Sequence, residues 1–286
     1  KHACQTPAII YTVHGFHFYK SQHSMLKNCL FRTLEKRALP WTDALVVMND
    51  EDEMAARALQ KASPATRVVR IDGIGFDFSL YAPARMNRQQ RKPENDQQHE
   101  SARPTHLCII AEHNENKDIS LLLETVEVLK KRGVSPFNLT VVGSGPLTEN
   151  LKAQAVTLGI DSLVTFTGQL QRAELDEVIK NTDIGILVSK REGLPRSLME
   201  FCAAGATICG TSTRGIVDEV RDPRALAIER TAQSIADMLQ PLIESKTLRD
   251  NIAHEQYEHA QQTYDLPLIL NAYQELYAHY LISRNA

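Results

Sequence analysis

The 286-residue chain is 43% hydrophobic and 23% charged, close to the composition of soluble globular proteins. Its 32 Lys and Arg residues against 35 Asp and Glu residues give a net charge of -3, which argues against a nucleic-acid-binding protein that depends on bulk positive charge. No run approaches the ~18 uninterrupted apolar residues of a membrane-spanning helix. The length predicts two domains of modest size.

The five cysteines are odd in number, scattered, and never spaced as C-x-x-C. That pattern fits neither a disulfide framework nor a zinc site, and it suits a reducing cytoplasm. Residues 1–7 are polar and run directly into an apolar strand, so no export signal is predicted.

Short apolar runs alternate with longer segments of helical period, which indicates strand-helix units, parallel sheets and an α/β fold. In the first part of the chain we predict strands at 8–13, 44–48 and 68–71, separated by helices at 24–40 and 50–61. Residues 84–104 then lose almost every apolar side chain in favour of Gln, Asn, Arg, Glu and Pro, which predicts a polar loop or linker.

The alternation continues without a break beyond the loop. Helices separate strands predicted at 107–111, 139–142, 163–167, 184–188, 206–210 and 225–228, and most of 231–284 is predicted to be helical. Asp118 is the candidate N-cap of the helix that stops at Gly133. The domains predicted are a partial N-terminal Rossmann-like domain, a linker, a complete Rossmann-like domain and a C-terminal helix returning to the first domain, at 1–83, 84–104, 105–265 and 266–286.

The segment after the strand at 184–188 has the residues of an anion site. Pro195 suits the first turn of a helix and Gly193 permits close backbone approach, so N–H groups at this helix N-terminus could bind phosphate. Glu192 and Glu200 add carboxylates, which accept hydrogen bonds from sugar and ribose hydroxyls. The combination favours a sugar nucleotide as ligand. The alternative is a capped surface helix with acidic residues near its positive end.

Lys117 follows the strand at 107–111 and is placed to point over the strand ends, where its contact with phosphate would be worth ~1.5–3 kcal/mol. Alone it would be a surface charge. With Glu192 and Glu200, which are separated by seven residues, the chain resembles family 4 of the retaining glycosyltransferases, which have two Rossmann-like domains in the GT-B fold. The segments that resemble bacterial polysaccharide-assembly members, in order and spacing, are YTVHGFHFYK, VVGSGPL, VTFTGQL and EGLPRSLMEFCAAG.

The resemblance implies a role for each matching residue on the donor side. Glu192 would contact hydroxyls of the transferred sugar, Glu200 the nucleotide ribose, and Lys117 the diphosphate. Backbone amides would be presented to the sugar and diphosphate by a run of three residues, Gly193, Leu194 and Pro195. Leu170 would lie beside the base.

The resemblance also implies a residue in the first domain and a reaction course. His14 would reach the donor sugar and the acceptor; the alternative is a histidine that only completes its hydrogen bonds at a strand end. Retention in this family proceeds without a protein nucleophile, because the leaving diphosphate accepts the acceptor's proton on the same face of the sugar. The protein's task is then to receive the negative charge that develops on the diphosphate.

Two departures from the family pattern stand out. Glu112 occupies the position, five before Lys117, where most members carry an arginine, and we hypothesise that Arg196 supplies the missing positive charge. The strands and Gly-rich acceptor loop that precede the HGFHF strand in family members are also missing. The chain is therefore expected to be a fragment of a longer protein or the product of a decayed gene.

Other patterns carry less weight. The acid-x-acid motif at 50–52 opens a predicted helix, so we predict no metal site there, and the GSG turn at 143–145 lacks the third glycine of a dinucleotide fingerprint. No cofactor is expected. The mildly basic stretch 20–37 has two interpretations, a solvated amphipathic helix or a membrane-surface helix.

Taken with the motifs, the resemblance implies a metal-independent, retaining hexosyltransferase. It would move a sugar from a nucleotide diphosphate, most often UDP, to a polyprenyl-linked glycan in capsule or exopolysaccharide assembly. It would work in the cytoplasm, with peripheral contact to the inner face of the plasma membrane. The alternative is a non-catalytic remnant that binds a nucleotide sugar or a partner subunit.

Overall fold

The computed structural model describes residues 8–13, 15–16, 25–90, 103–134 and 136–282. The chain folds as two compact units, the first containing Lys1–Phe76 and Thr263–Ala286, and the second containing Asp77–Gln262. Among the described residues, each unit has a parallel sheet of its own, with three strands in the first and six in the second. The predicted α/β class with parallel sheets is therefore confirmed.

The first unit begins with alternating strands and helices. Their bounds are β1 Ile10–Thr12, α1 Met25–Ala38, β2 Ala44–Val47, α2 Asp50–Gln60 and β3 Arg67–Arg70. The strands pair in the order β1-β2-β3.

The second unit contains most of the remaining elements. Helices and strands follow as α3 Ala82–Gln90, β4 Thr105–Ile110, α4 Ile119–Lys131, β5 Phe137–Val142, α5 Thr148–Thr157, β6 Val164–Gly168, α6 Arg172–Asn181, β7 Ile184–Leu187, α7 Arg196–Ala203, β8 Thr207–Thr211, α8 Ile216–Val220, β9 Leu226–Ala227, α9 Ala232–Glu244 and α10 Lys246–Tyr264. The last helix, α11 at Leu266–Ile282, belongs to the first unit.

The middle strand of the first unit is buried on both faces because its side chains alternate between two clusters. Leu45 and Val47 pack with Val13, Phe16 and other apolar side chains on one face. The opposite face of β2 packs against α11, with Ala44, Val46, Ile71, Ile269 and Leu276 in one cluster.

The described strands of the second unit run in the order β6-β5-β4-β7-β8-β9, and every neighbouring pair is parallel. The chain moves outward from β4 to β6 and then returns to place β7 on the other side of β4. Such a reversal of strand order opens a crevice at the carboxyl ends of the two central strands, where ligands bind in open α/β sheets.

One local prediction was wrong. Residues 84–90 were predicted to lie in a polar loop, but they belong to α3, where Arg85 places its guanidinium carbon 3.3 Å from the centre of the Tyr257 ring. Residues 84–90 lack the regularly spaced apolar side chains of an amphipathic helix, and this cation–π contact stabilises the helix instead. Asp118 is the N-cap residue of α4, as predicted, but its side chain makes no capping hydrogen bond. Its backbone is left-handed, at φ 50°, and its carboxylate pairs with Arg230 instead.

No helix in the described part of the chain is long and apolar enough to cross a membrane.

Candidate functional site

Two loops form the crevice at the carboxyl ends of β4 and β7. The first loop, 111–118, leads from β4 into α4, and the second, 188–195, leads from β7 into α7. Both strands are almost entirely buried in the centre of the sheet, so their ends are fixed relative to each other.

The two loops carry a close ion pair. Nζ of Lys117 donates to Oε1 of Glu192 across 2.6 Å, and the Glu192 side chain is only 10% exposed. A lysine ammonium has three N–H groups. Within the described residues, Glu192 is its one hydrogen-bond acceptor, so two N–H groups remain for a ligand.

Further hydrogen bonds brace the same two loops. The carbonyl of Asn116 accepts from the amide of Lys190 at 2.7 Å, and its side-chain amide donates to the carbonyl of Arg191 at 3.0 Å. Arg230 adds a second connection, since it donates to the carbonyl of Ser189 at 2.7 Å and to Oδ2 of Asp118 at 2.5 Å. The Lys117–Glu192 pair therefore sits on a rigid frame.

The start of α7 presents backbone donors that have no acceptor within the described residues. They are the N–H groups of Gly193, Leu194, Arg196 and Ser197. Pro195 was predicted to present an amide as well, but proline has no N–H, and here it serves as the helix N-cap. Four donors at a helix N-terminus, next to a lysine, form an arrangement suited to phosphate oxygens.

The loop after β8 packs against the peptide of Gly193, one of these donor residues. Gly215 has a left-handed φ of 81°, and a Cβ at this position would lie 2.3 Å from the carbonyl oxygen of Gly193. Only glycine allows this approach, because any side chain would displace the Gly193 peptide.

A second cluster surrounds Glu200, inside α7. Glu200 is 4% exposed, and its Oε1 accepts from Nη1 of Arg172 at 2.8 Å and from Nε of Arg196 at 3.3 Å. Nη2 of Arg172 also donates to the Tyr81 hydroxyl at 2.6 Å, and that hydroxyl donates to Oδ1 of Asp176 at 2.8 Å. Burial, with the Asp176 hydrogen bond, raises the pKa of Tyr81, so its hydroxyl keeps the proton it donates.

Glu219, in α8, is a buried carboxyl close enough to Glu192 to feel its charge. Neither of its oxygens has a hydrogen-bond partner within the described residues. Burial raises its pKa well above the usual value, and the negative charges of Glu192 and Asp218 raise it further. The protonated form of Glu219 is therefore favoured up to a higher pH in the folded protein than in the unfolded chain.

The structure brings most of the residues singled out from the sequence into two clusters. Lys117 and Glu192 meet directly, and Arg196 contacts Glu200. Leu170 lies in the loop before α6 and is half-buried, with no polar contact to either cluster. Glu112 accepts from the Asn114 side chain at 3.0 Å. His14 lies outside the described residues.

Sequence reasoning missed Arg172, Tyr81 and Asp176. A signal for Arg172 was present, because it opens a helix after Leu170 at the same edge of the sheet. The sequence around Tyr81 carries no signal for this contact, because Tyr81 lies 91 positions before Arg172. The described residues contain no group of three or more His, Cys, Asp or Glu side chains able to hold a metal ion.

The fold is the GT-B fold of glycosyltransferases. The chain superimposes on HepE of Anabaena, solved in complex with UDP and glucose, with a TM-score of 0.72 and 18% identity, over 95% of this chain and 71% of HepE. It also superimposes on sucrose-phosphate synthase of Thermosynechococcus elongatus with a TM-score of 0.72 and 19% identity, over 96% of this chain and 68% of that protein. At these identities the likeness shows the fold alone.

The chain belongs to the glycosyl transferases group 1 family, whose model matches residues 91–259. It is 32% identical to EpsD of Bacillus subtilis, a glycosyltransferase by name, over 75% of this chain and 54% of EpsD. It is 22% identical to the N,N'-diacetylbacillosaminyl-diphospho-undecaprenol alpha-1,3-N-acetylgalactosaminyltransferase of Campylobacter jejuni, over 94% of this chain and 69% of that enzyme. The chain thus spans about half the length of EpsD, and 33% of EpsF from the same organism.

Proposed function

We propose that this chain is the donor-binding part and a portion of the acceptor side of a retaining, metal-independent glycosyltransferase of family 4. The donor would be a nucleotide diphosphate sugar, with UDP as the first nucleotide to test. The acceptor would be a polyprenyl-linked glycan of a bacterial surface polysaccharide, assembled at the cytoplasmic face of the membrane.

The observation that carries the proposal is the Lys117–Glu192 pair beside the N–H groups that begin α7. A diphosphate seated there would accept hydrogen bonds from the Lys117 ammonium and from the amides of Gly193 and Leu194. Glu192 would turn its carboxylate to the hydroxyls of the transferred sugar. One turn into α7, Glu200 would hold the ribose, while Leu170 would lie beside the base.

The proposed transfer requires no nucleophile from the protein. The acceptor oxygen would bond to the anomeric carbon on the face from which the diphosphate leaves, and a diphosphate oxygen would take the acceptor's proton. Positive charge and fixed N–H groups aimed at the departing diphosphate would lower the barrier, because they need little reorganisation during the reaction. His14 is proposed to contact the donor sugar and acceptor.

Two relatives support the choice of pathway. The Campylobacter jejuni relative acts, by its name, on an undecaprenyl diphosphate-linked sugar, and a further relative from Erwinia amylovora is named for amylovoran biosynthesis, with 27% identity over 48% of this chain. Both names describe assembly of bacterial glycans, the first on a lipid carrier.

Membrane contact through α1 is part of the same proposal. No residue of α1 is fully buried. Phe31 packs against the core, but four other apolar side chains of the helix, Met25, Leu26, Leu30 and Leu34, are exposed. Lys27, Lys36 and Arg37 add positive charge, and each basic residue near an anionic leaflet contributes about 1 kcal/mol. Sedimentation with phosphatidylglycerol vesicles at low salt tests this contact, and absence of binding would contradict it.

Calorimetric titration of the purified chain with UDP, and with GDP beside it, tests the donor site. We expect UDP to bind and Glu200→Ala to abolish most of the heat, since the ribose would lose its acceptor. Lys131→Ala, at the opposite end of α4, is the matched control and should bind as the wild type does. A folded chain that binds neither nucleotide would overturn the proposal.

The stereochemistry needs a second experiment. NMR of the product formed from a UDP sugar should show the anomeric configuration of the donor. An inverted product would refute the retaining mechanism while leaving the donor site intact.

A further inference from the structure

The two carboxylate oxygens of Glu200 have different surroundings. Oε1 accepts hydrogen bonds from both Arg172 and Arg196. Within the described residues, Oε2 accepts none. The carboxylate is therefore fixed by one oxygen, and the other remains available to a ligand.

Arg172 is itself held in place. Its Nη2 group donates to the Tyr81 hydroxyl at 2.6 Å and lies 2.9 Å from Oδ1 of Asp176, while Nη1 points to Glu200. The planar guanidinium thus bridges α6, α7 and the turn that contains Tyr81. Lysine could not make these contacts together, because its ammonium is a single point of charge.

Arg172 is not part of the packed core. Its side chain is 48% exposed, whereas the Glu200 side chain is 6% exposed. Removal of the guanidinium would leave no large cavity, but it would leave a nearly buried carboxylate with Arg196 as its remaining partner within the described residues. We therefore expect Arg172, which is exposed but anchored, to orient the carboxylate of Glu200 that it contacts.

We propose that Arg172, anchored by Tyr81 and Asp176, is a positioning residue that fixes Oε1 of Glu200 so that Oε2 accepts hydrogen bonds from the ribose hydroxyls of the donor nucleotide. This inference rests on the proposed function, since it assigns the ribose to Glu200. It adds that the affinity for ribonucleotides depends on a side chain that does not touch the ligand.

A ligand that lacks the ribose hydroxyls shows whether Arg172 positions Glu200 for the ribose or supports the whole binding site. Calorimetry would compare UDP with 2',3'-dideoxy-UDP on the wild type and on Arg172→Ala. An unfixed carboxylate must be immobilised when the ribose binds, so we expect Arg172→Ala to bind UDP about tenfold more weakly. Its affinity for dideoxy-UDP should stay within about twofold of the wild type, because that ligand makes no contact that Arg172 could improve.

Three further variants sharpen the test. Arg172→Lys should recover part of the UDP affinity, since it keeps the charge but not the bridging geometry. Tyr81→Phe removes one anchor of Arg172 and should weaken UDP binding about threefold, again without an effect on dideoxy-UDP. Lys180→Ala, at the other end of α6 and paired with Glu177, is the control and should change neither affinity.

The outcomes are distinguishable. UDP binding that depends on Glu200 but is unchanged in both Arg172→Ala and Tyr81→Phe would overturn this inference and leave the proposed function standing. Equal weakening of both nucleotides would also overturn it, because the residue would then act on the whole site. A folded wild type that binds neither UDP nor GDP would refute the proposed function and this inference together.

Discussion

Nζ of Lys117 lies 2.6 Å from Oε1 of Glu192, although 75 residues separate the two in sequence. The contact joins the loops that follow β4 and β7, which are neighbours only because the sheet reverses its strand order at this point. Lysine thus neutralises a nearly buried carboxylate where we propose that a diphosphate binds.

We expect Lys117→Ala to weaken UDP binding about 10- to 100-fold, because a charge-assisted hydrogen bond to phosphate contributes ~1.5–3 kcal/mol. The loss should shrink for uridine, which has no phosphate. Calorimetry with both ligands measures the difference. Lys131→Ala, whose side chain pairs with Glu127 on α4, should bind both as the wild type does. An equal loss for UDP and uridine would show that Lys117 supports the fold rather than the phosphate.

Arg196 should act on phosphate as well. Its Nε donates to Glu200, but its two Nη groups have no acceptor within the described residues, and its side chain is 66% exposed. We expect Arg196→Ala to weaken binding of UDP more than of UMP, and of UMP more than of uridine. A series of three titrations gives the answer. If UDP affinity is unchanged in this variant, Arg196 does not replace the arginine that most family members have at the position of Glu112.

Glu219 should make the free energy of unfolding depend on pH. Burial raises the pKa of the folded group well above its usual value of 4.5, so the folded state holds the proton more tightly than the unfolded state. The contribution of Glu219 to the free energy of unfolding is fully present below about pH 4.5, the unfolded pKa, and is lost as the pH rises through the folded pKa. Glu219→Gln cannot ionise and should lose less stability than the wild type between pH 5 and pH 8.

Urea unfolding at several pH values within that interval measures the effect. Glu149→Gln, at an exposed position on α5, provides the control and should follow the wild type. Identical pH slopes for Glu219→Gln and the wild type would mean that folding does not raise the pKa of Glu219.

Gly215→Ala should damage both the fold and the ligand site. The left-handed backbone and the short distance to the Gly193 carbonyl predict a loss of about 1–3 kcal/mol in the free energy of unfolding. Displacement of the Gly193 peptide should also weaken UDP binding. Gly159→Ala is the control for backbone strain alone, because its φ is also left-handed, at 65°, but no atom lies within 4 Å of the added Cβ. That control should lose stability and keep its UDP affinity.

The sequence by itself predicted much of the fold because its signals are local. Alternating apolar runs and helical periods located β2 at 44–47 and β7 at 184–187 to within one residue at each end. Spacing and resemblance singled out Lys117, Glu192 and Glu200. Local signals failed at α3, where a polar helix is stabilised by the contact of Arg85 with a distant tyrosine.

Only the tertiary structure decided how the site residues pair. The strand order brings Lys117 to Glu192, and the packing of α6 beside α7 brings Arg172 to Glu200. Tyr81 completes the second cluster from 91 residues away. Periodicity and spacing carry no information about such contacts, because a hydrogen bond between side chains depends on the path of the whole backbone and on which sheet edges and helix ends it brings together.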